Sequence, residues 1–219
     1  DYLEKGENVL GAEVGNGWFI KTDEHYTFAF PAPIPPNPNP YKPYGKSLVL
    51  ALELTVVYTD GTEERIGADE TFAVKEHPTV MSNVYGSETT DARLEQEGWC
   101  TAGFDASGWK AAAVVPEADA PQGELIGQFQ PAIKVIRSYD GKHMGRVGNR
   151  DIYDFGQNMS GILELEACGK AGDAFKLYPA EKLGADGDVD QLAKGWVEVD
   201  SCITCILGRD GEWEHFRMK

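Results

Sequence analysis

No apolar run in this sequence approaches the ~20 residues that a membrane-spanning helix needs, which argues against insertion into a bilayer. Basic residues are outnumbered: 20 Lys and Arg against 36 Asp and Glu leave a net charge of −16. Nucleic acid and anionic membrane surfaces would repel such a chain, so neither is expected as a partner. Cysteine is scarce as well. Cys100, Cys168, Cys202 and Cys205 are too few and too scattered for a disulfide scaffold. Cys202 and Cys205 have the spacing of half a zinc site, but no second pair completes it, and residues three apart in a strand point to opposite faces. No stretch carries a useful helical period, and no repeat of roughly 20 to 50 residues is present.

What remains is strand and turn. Leu48, Leu50, Leu52, Leu54 and Val56 alternate at period two and run into Asp60-Gly61, which predicts a hairpin with a return strand over 62–66 and a further strand over 71–75. From Asp151 to Glu181 the pattern predicts three strands, 152–155, 161–167 and 174–180, joined as an antiparallel meander. Ile162, Leu163, Leu165 and Ala167 alternate there with Glu164 and Glu166, so most of one face is buried and the other is wet. Seven prolines between Pro31 and Pro43 exclude a central strand and predict a long surface loop. Residues 111–123 lose periodicity and gain Pro116 and Pro121, the composition of a linker. The tail predicts strands at Val197–Val199, Ile203–Leu207 and Trp213–Phe216.

Three motifs in order carry a family resemblance. They are Gly15-Asn16-Gly17-Trp18; the run Tyr85 to Arg93 followed by Gly98-Trp99; and Tyr153-Asp154-Phe155-Gly156-Gln157-Asn158 with Ala180-Glu181, Leu183 and Asp186-Gly187 beyond it. Together they resemble the non-catalytic β-sandwich region of bacterial α-L-rhamnosidases. Phe104 to Trp109 resembles the close of that family's first sandwich, and Leu125 to Arg137 the opening strand of its second. The resemblance implies that the chain starts late in one sandwich and stops before the other closes. It also implies that the catalytic acid and base lie elsewhere, in a downstream (α/α)6 barrel, so no residue here is assigned to catalysis.

Candidate binding residues follow. Asn16 and Trp18 suit a sugar, an aromatic ring stacking on its C–H face while an amide donates and accepts. Some members of the resembled family bind L-rhamnose with calcium in a domain like this one, which makes calcium the ion to consider. Glu88, Asp91 and Arg93 form the sharpest polar cluster; they would grip sugar hydroxyls or help hold calcium, or Arg93 would form a bidentate pair that only pins the segment. The pairing carries more weight, because buried charges persist only when paired. Asp186 to Asp190 imitates the opening of an EF-hand loop, but Gln191 stands where glycine is required, so it reads as a solvated acidic turn. Glu181 is a candidate contact to the barrel. His25, His77, His143 and His215 lie far apart in sequence, with no ligand-spaced neighbours.

The expectation is therefore an all-β chain of two antiparallel, jelly-roll-like β-sandwich domains in tandem, 1–115 and 122–219. It would serve an α-L-rhamnosidase either as a binder of rhamnose-containing glycan or as a structural collar for the barrel. A freestanding interaction module is the remaining alternative. The resemblance alone implies a periplasmic or cell-surface location.

Overall fold

A computed structural model describes residues 3–17, 19–20, 47–83, 87–118, 120, 123–127, 129–191 and 201–218. The proline-rich loop, Trp18, Tyr85 and Val197–Val199 lie outside them. Among the described residues every regular element is a β-strand except one 3-10 turn, so the all-β expectation holds. The chain divides into two compact units, each assembled from separated stretches: Asp1–Gly15, Gly45–His77 and Gln96–Pro131 in one, Asn16–Tyr44, Pro78–Glu95 and Ala132–Lys219 in the other.

The first unit holds two antiparallel ribbons. Strands β1 (Glu53–Val57) and β2 (Glu63–Gly67) form the hairpin read from the sequence. Asp60 Oδ1 accepts from the Thr62 N–H at 2.9 Å, and Gly61 adopts the positive φ of 84° that this turn requires. Strand β3 (Ala73–Val74) pairs with β6 (Lys110–Ala111). Trp99 stacks on Trp109 with centroids 6.4 Å apart, and Phe104 meets Trp109 edge-on at 5.6 Å. No Cβ fits at Gly11, where it would lie 2.5 Å from the Trp99 ring.

The second unit is a sandwich with one mixed layer. Strands β4 (Thr79–Asn83), β5 (Ser87–Asp91), β10 (Ala174–Leu177) and β11 (Ile203–Ile206) form a sheet in the order β10-β11-β5-β4. Within it β5 and β11 run parallel, Thr89 facing Thr204, which departs from the expected antiparallel pattern. A ribbon of β9 (Glu164–Cys168) and β12 (Trp213–Arg217) lies across the core from this sheet. Ala167 and Phe216 from the ribbon meet Cys205, Leu207 and Met218, with Leu165, Leu177 and Ile203 packed around them. Alternation explains the ribbon: Leu165 and Ala167 turn inward while Glu164 and Glu166 stay wet. A separate hairpin joins β7 (Lys142–Val147) to β8 (Arg150–Asp154).

The meander expected over 151–181 does not form. Its three strands exist as β8, β9 and β10, but they pair with β7, β12 and β11 respectively. Between β9 and β10 the glycine-rich turn is the reason. Gly172 N–H donates to Leu207 O at 2.8 Å, Leu207 N–H to Asp173 O at 2.9 Å, and Gly211 N–H to Gly169 O at 2.7 Å. The turn therefore bonds across to residues 207–211 instead of closing on itself, and it carries the chain from one layer to the other. The strand expected over 125–137 is also absent among the described residues, which are irregular there and expose their large apolar side chains.

Candidate functional site

The polar cluster read from the sequence comes together at the end of β5, where a 3-10 turn (Ala92–Leu94) begins. Thr89 and Thr90 suit the pleat, and Asp91 ends it by capping the turn, its Oδ1 accepting the Arg93 N–H at 3.1 Å. The Arg93 side chain closes on the same carboxylate, Nε to Oδ1 at 2.8 Å and Nη2 to Oδ2 at 2.7 Å. This is the bidentate fork. Asp91 has 11% of its side chain exposed and Arg93 52%, so the pair straddles the surface. The Arg93 hydrogen bonds hold the Asp91 carboxyl below the usual carboxylate range. Both Asp91 oxygens already accept from the cationic Arg93, whose charge opposes a second cation on the same carboxylate, so the cluster does not fit calcium.

Glu88 lies buried in the middle of the four-stranded sheet. Burial, with a smaller contribution from the Glu88 charge, pushes the Cys205 thiol up to about 12. Asn16 reaches this strand pair from the other side of the sequence: its Nδ2 donates to Ser82 O at 3.2 Å, and Ser82 faces Glu88 in the β4–β5 ladder. The Asn16 carbonyl also accepts from Phe19 N–H at 3.0 Å and Ile20 N–H at 3.3 Å. Asn16, Glu88, Asp91 and Arg93 thus gather along one strand pair. Glu181 stands apart, exposed in the bend after β10.

The acidic turn is satisfied by cations. Arg150 Nη1 donates to Asp188 Oδ2 at 2.7 Å and Lys182 Nζ sits 3.5 Å from Asp190, while Asp186 Oδ1 accepts the Asp188 N–H at 3.2 Å. Among the described residues no three His, Cys, Asp or Glu side chains are placed to hold a metal.

Two features escaped the sequence reading. Glu214 points inward from β12, buried, and accepts from Gly208 N–H with both oxygens at 2.9 and 3.0 Å and from Arg209 N–H at 2.9 Å. It caps the turn between β11 and β12. The other is cross-strand: Asp151, eight residues beyond His143, brings its Oδ1 to 3.1 Å from the imidazole Nε2 once the hairpin forms. The alternation of Asp151, Tyr153 and Phe155 around Ile152 was the available signal.

Comparison with known proteins decides the family. The α-L-rhamnosidase N-terminal domain matches residues 1–137, and the bacterial α-L-rhamnosidase concanavalin-like domain matches residues 146–216. The chain belongs to the bacterial α-L-rhamnosidase family. An α-L-rhamnosidase of Formosa agariphila is 32% identical over 189 residues, covering 85% of this chain and 19% of the relative. One of Streptomyces avermitilis is 29% identical over 188 residues, covering 85% of this chain and 17% of the relative. The crystal structure of Streptomyces avermitilis α-L-rhamnosidase complexed with L-rhamnose aligns with a TM-score of 0.67 at 27% identity, over 81% of this chain and 18% of that one. The chain therefore spans under a fifth of the length of these rhamnosidase relatives.

Proposed function

We propose that this chain is the non-catalytic β-sandwich portion of an α-L-rhamnosidase that removes terminal α-L-rhamnose from glycosides or polysaccharides, and that it supports the (α/α)6 catalytic barrel. One observation carries the reading. Between Leu125 and Ile136 six large apolar side chains are exposed: Leu125, Ile126 and Phe129 (82%) in the first unit, and Ile133 (102%), Val135 and Ile136 (97%) in the second. Single exposed apolar residues are ordinary, whereas several close together within each unit suit a stretch that another body covers. The apolar flank of the barrel is the occupant we assign, with Glu181 as a polar contact at its edge. Placement in the periplasm or at the cell surface, and a division of the chain near residues 116–121, belong to the same proposal.

Amide hydrogen exchange tests it. The amides of residues 125–136 should exchange fast in this chain alone and be protected in the full-length enzyme. Equal, fast exchange in both would sink the docking role.

A second reading, in which this region grips rhamnose-containing glycan, draws support from the convergence of Asn16 and Glu88 at Ser82. Against it, Asp91 and Arg93 already hold each other and Glu88 is buried. Tryptophan fluorescence during an L-rhamnose titration, with and without a calcium chelator, checks it. A saturable change lost in Trp18→Ala would favour this reading over pure support.

A further inference from the structure

The β7–β8 hairpin has two unlike faces. Its register sets His143 opposite Tyr153 and Arg146 opposite Asp151, and residues directly opposite in a ladder share a face. Ile152 lies between Asp151 and Tyr153 in sequence, so alternation sends it to the other side, where it is buried. The hairpin is thus anchored through Ile152, leaving His143, Arg146, Asp151 and Tyr153 outward. All four are exposed.

That outward face is ordered, although nothing covers it among the described residues. Asp151 Oδ1 lies within hydrogen-bond reach of His143 Nε2 at 3.1 Å and fixes the plane of the imidazole. The imidazole in turn sits against Tyr153, with centroids 5.2 Å apart and planes at 57°. A Cβ at Gly141 would lie 3.3 Å from both the Phe155 ring and the Tyr153 Cβ, so these two side chains rest against the Gly141 backbone. Tyr153 remains 56% exposed. The result is a held aromatic surface with a carboxylate acceptor and a guanidinium donor at its rim.

This composition selects among partners. An apolar protein surface would strip water from Asp151 and Arg146 without replacing their hydrogen bonds. A polyanion would meet a chain of net charge −16. A pyranose fits both halves: its C–H face stacks on a ring while its hydroxyls donate to a carboxylate and accept from a guanidinium. We propose that the outer face of the β7–β8 hairpin binds a neutral pyranose, with Tyr153 as the stacking ring and Asp151 and Arg146 as its hydrogen-bonding groups. This inference is independent of the support role assigned to residues 125–136.

The test is amide NMR of the isotopically labelled chain titrated with L-rhamnose and, separately, with D-galactose. At least one sugar should move the amides of residues 142–155 saturably in the millimolar range. Tyr153→Phe keeps the ring and should bind like the wild type. Tyr153→Ala should bind about tenfold more weakly, the order set by losing one stacked ring. Asp151→Ala, which removes the acceptor and releases His143, should also weaken binding and serves if Tyr153→Ala disturbs the hairpin. The proposal is overturned if neither sugar moves these amides up to roughly 50 mM, or if both alanine variants bind like the wild type. Shifts confined to Asn16–Ile20 would place the sugar at the β4 edge and overturn it equally, while leaving the exchange behaviour of residues 125–136 untouched.

Discussion

Removing the Glu214 carboxylate should open the second unit more than any exposed substitution nearby. The carboxylate is buried and satisfies two backbone donors, Gly208 N–H through both oxygens and Arg209 N–H through one. A hydrogen bond to a charged group contributes roughly 1.5–3 kcal/mol, so two give about 3–6 kcal/mol gross. Deleting the charge also lifts the cost of keeping it out of water, which brings the expected net loss for Glu214→Ala to about 2–4 kcal/mol. Glu214→Gln retains one neutral acceptor and should lose about half as much. These are large fractions of a total stability of roughly 5–15 kcal/mol. Native-state amide exchange of β11 and β12 reads the opening free energy of this unit directly. Glu212→Ala is the control, because Glu212 pairs with Arg209 at 3.3 Å with both side chains about 60% exposed. It should change the opening free energy by less than about 1 kcal/mol. A Glu214→Ala variant within ~0.5 kcal/mol of the wild type, the range of ordinary surface changes, would refute the capping argument.

Two further outcomes follow from the titrating groups. Arg93 depresses the Asp91 carboxyl in the folded chain, so the stability that Asp91 contributes is complete above its unfolded value of about 3.9 and drains away as pH falls through the lower folded value. An acid-unfolding series should therefore be shallower for Asp91→Asn than for the wild type below about pH 4, and identical slopes would dismiss the pairing as a source of stability. Cys205 is buried with its thiol pushed up to about 12, whereas Cys100 and Cys168 are exposed. Alkylation followed by mass spectrometry should label Cys100 and Cys168 quickly and Cys205 only on unfolding, so rapid labelling of Cys205 would contradict its burial.

The sequence disclosed strands better than partners. The alternation around Glu164 and Glu166 located β9, and Asp60-Gly61 located the first hairpin, because both signals are local and the backbone obeys them directly. The meander failed because Gly169 and Gly172 look the same in a hairpin as in a corner between layers; what distinguishes them is bonding to residues 207–211, far along the chain. Leu125 to Arg137 resembles the opening strand of a sandwich, but a resemblance cannot supply a neighbour to pair with. At the polar cluster, the pairing of Asp91 with Arg93 was legible because the two lie within one turn. Glu214 was not, since an alternating Trp-Glu-His-Phe strand gives no sign that the buried position would be an acid meeting a turn's N–H groups.

The parallel pairing of β5 with β11 bears on how the polypeptide is made. Thr89 finds Thr204 only after most of the chain has left the ribosome, and synthesis at roughly 5–20 residues per second leaves β5 waiting on the order of ten seconds. Through that interval β4 can cover one side of β5 while the other presents unpaired backbone groups, a template for any passing strand. The stretch matched as the N-terminal domain ends at residue 137 and includes β5 without β11. A fragment cut at that boundary keeps the bare edge permanently, and the aggregation it invites would originate in the cut rather than in the sequence.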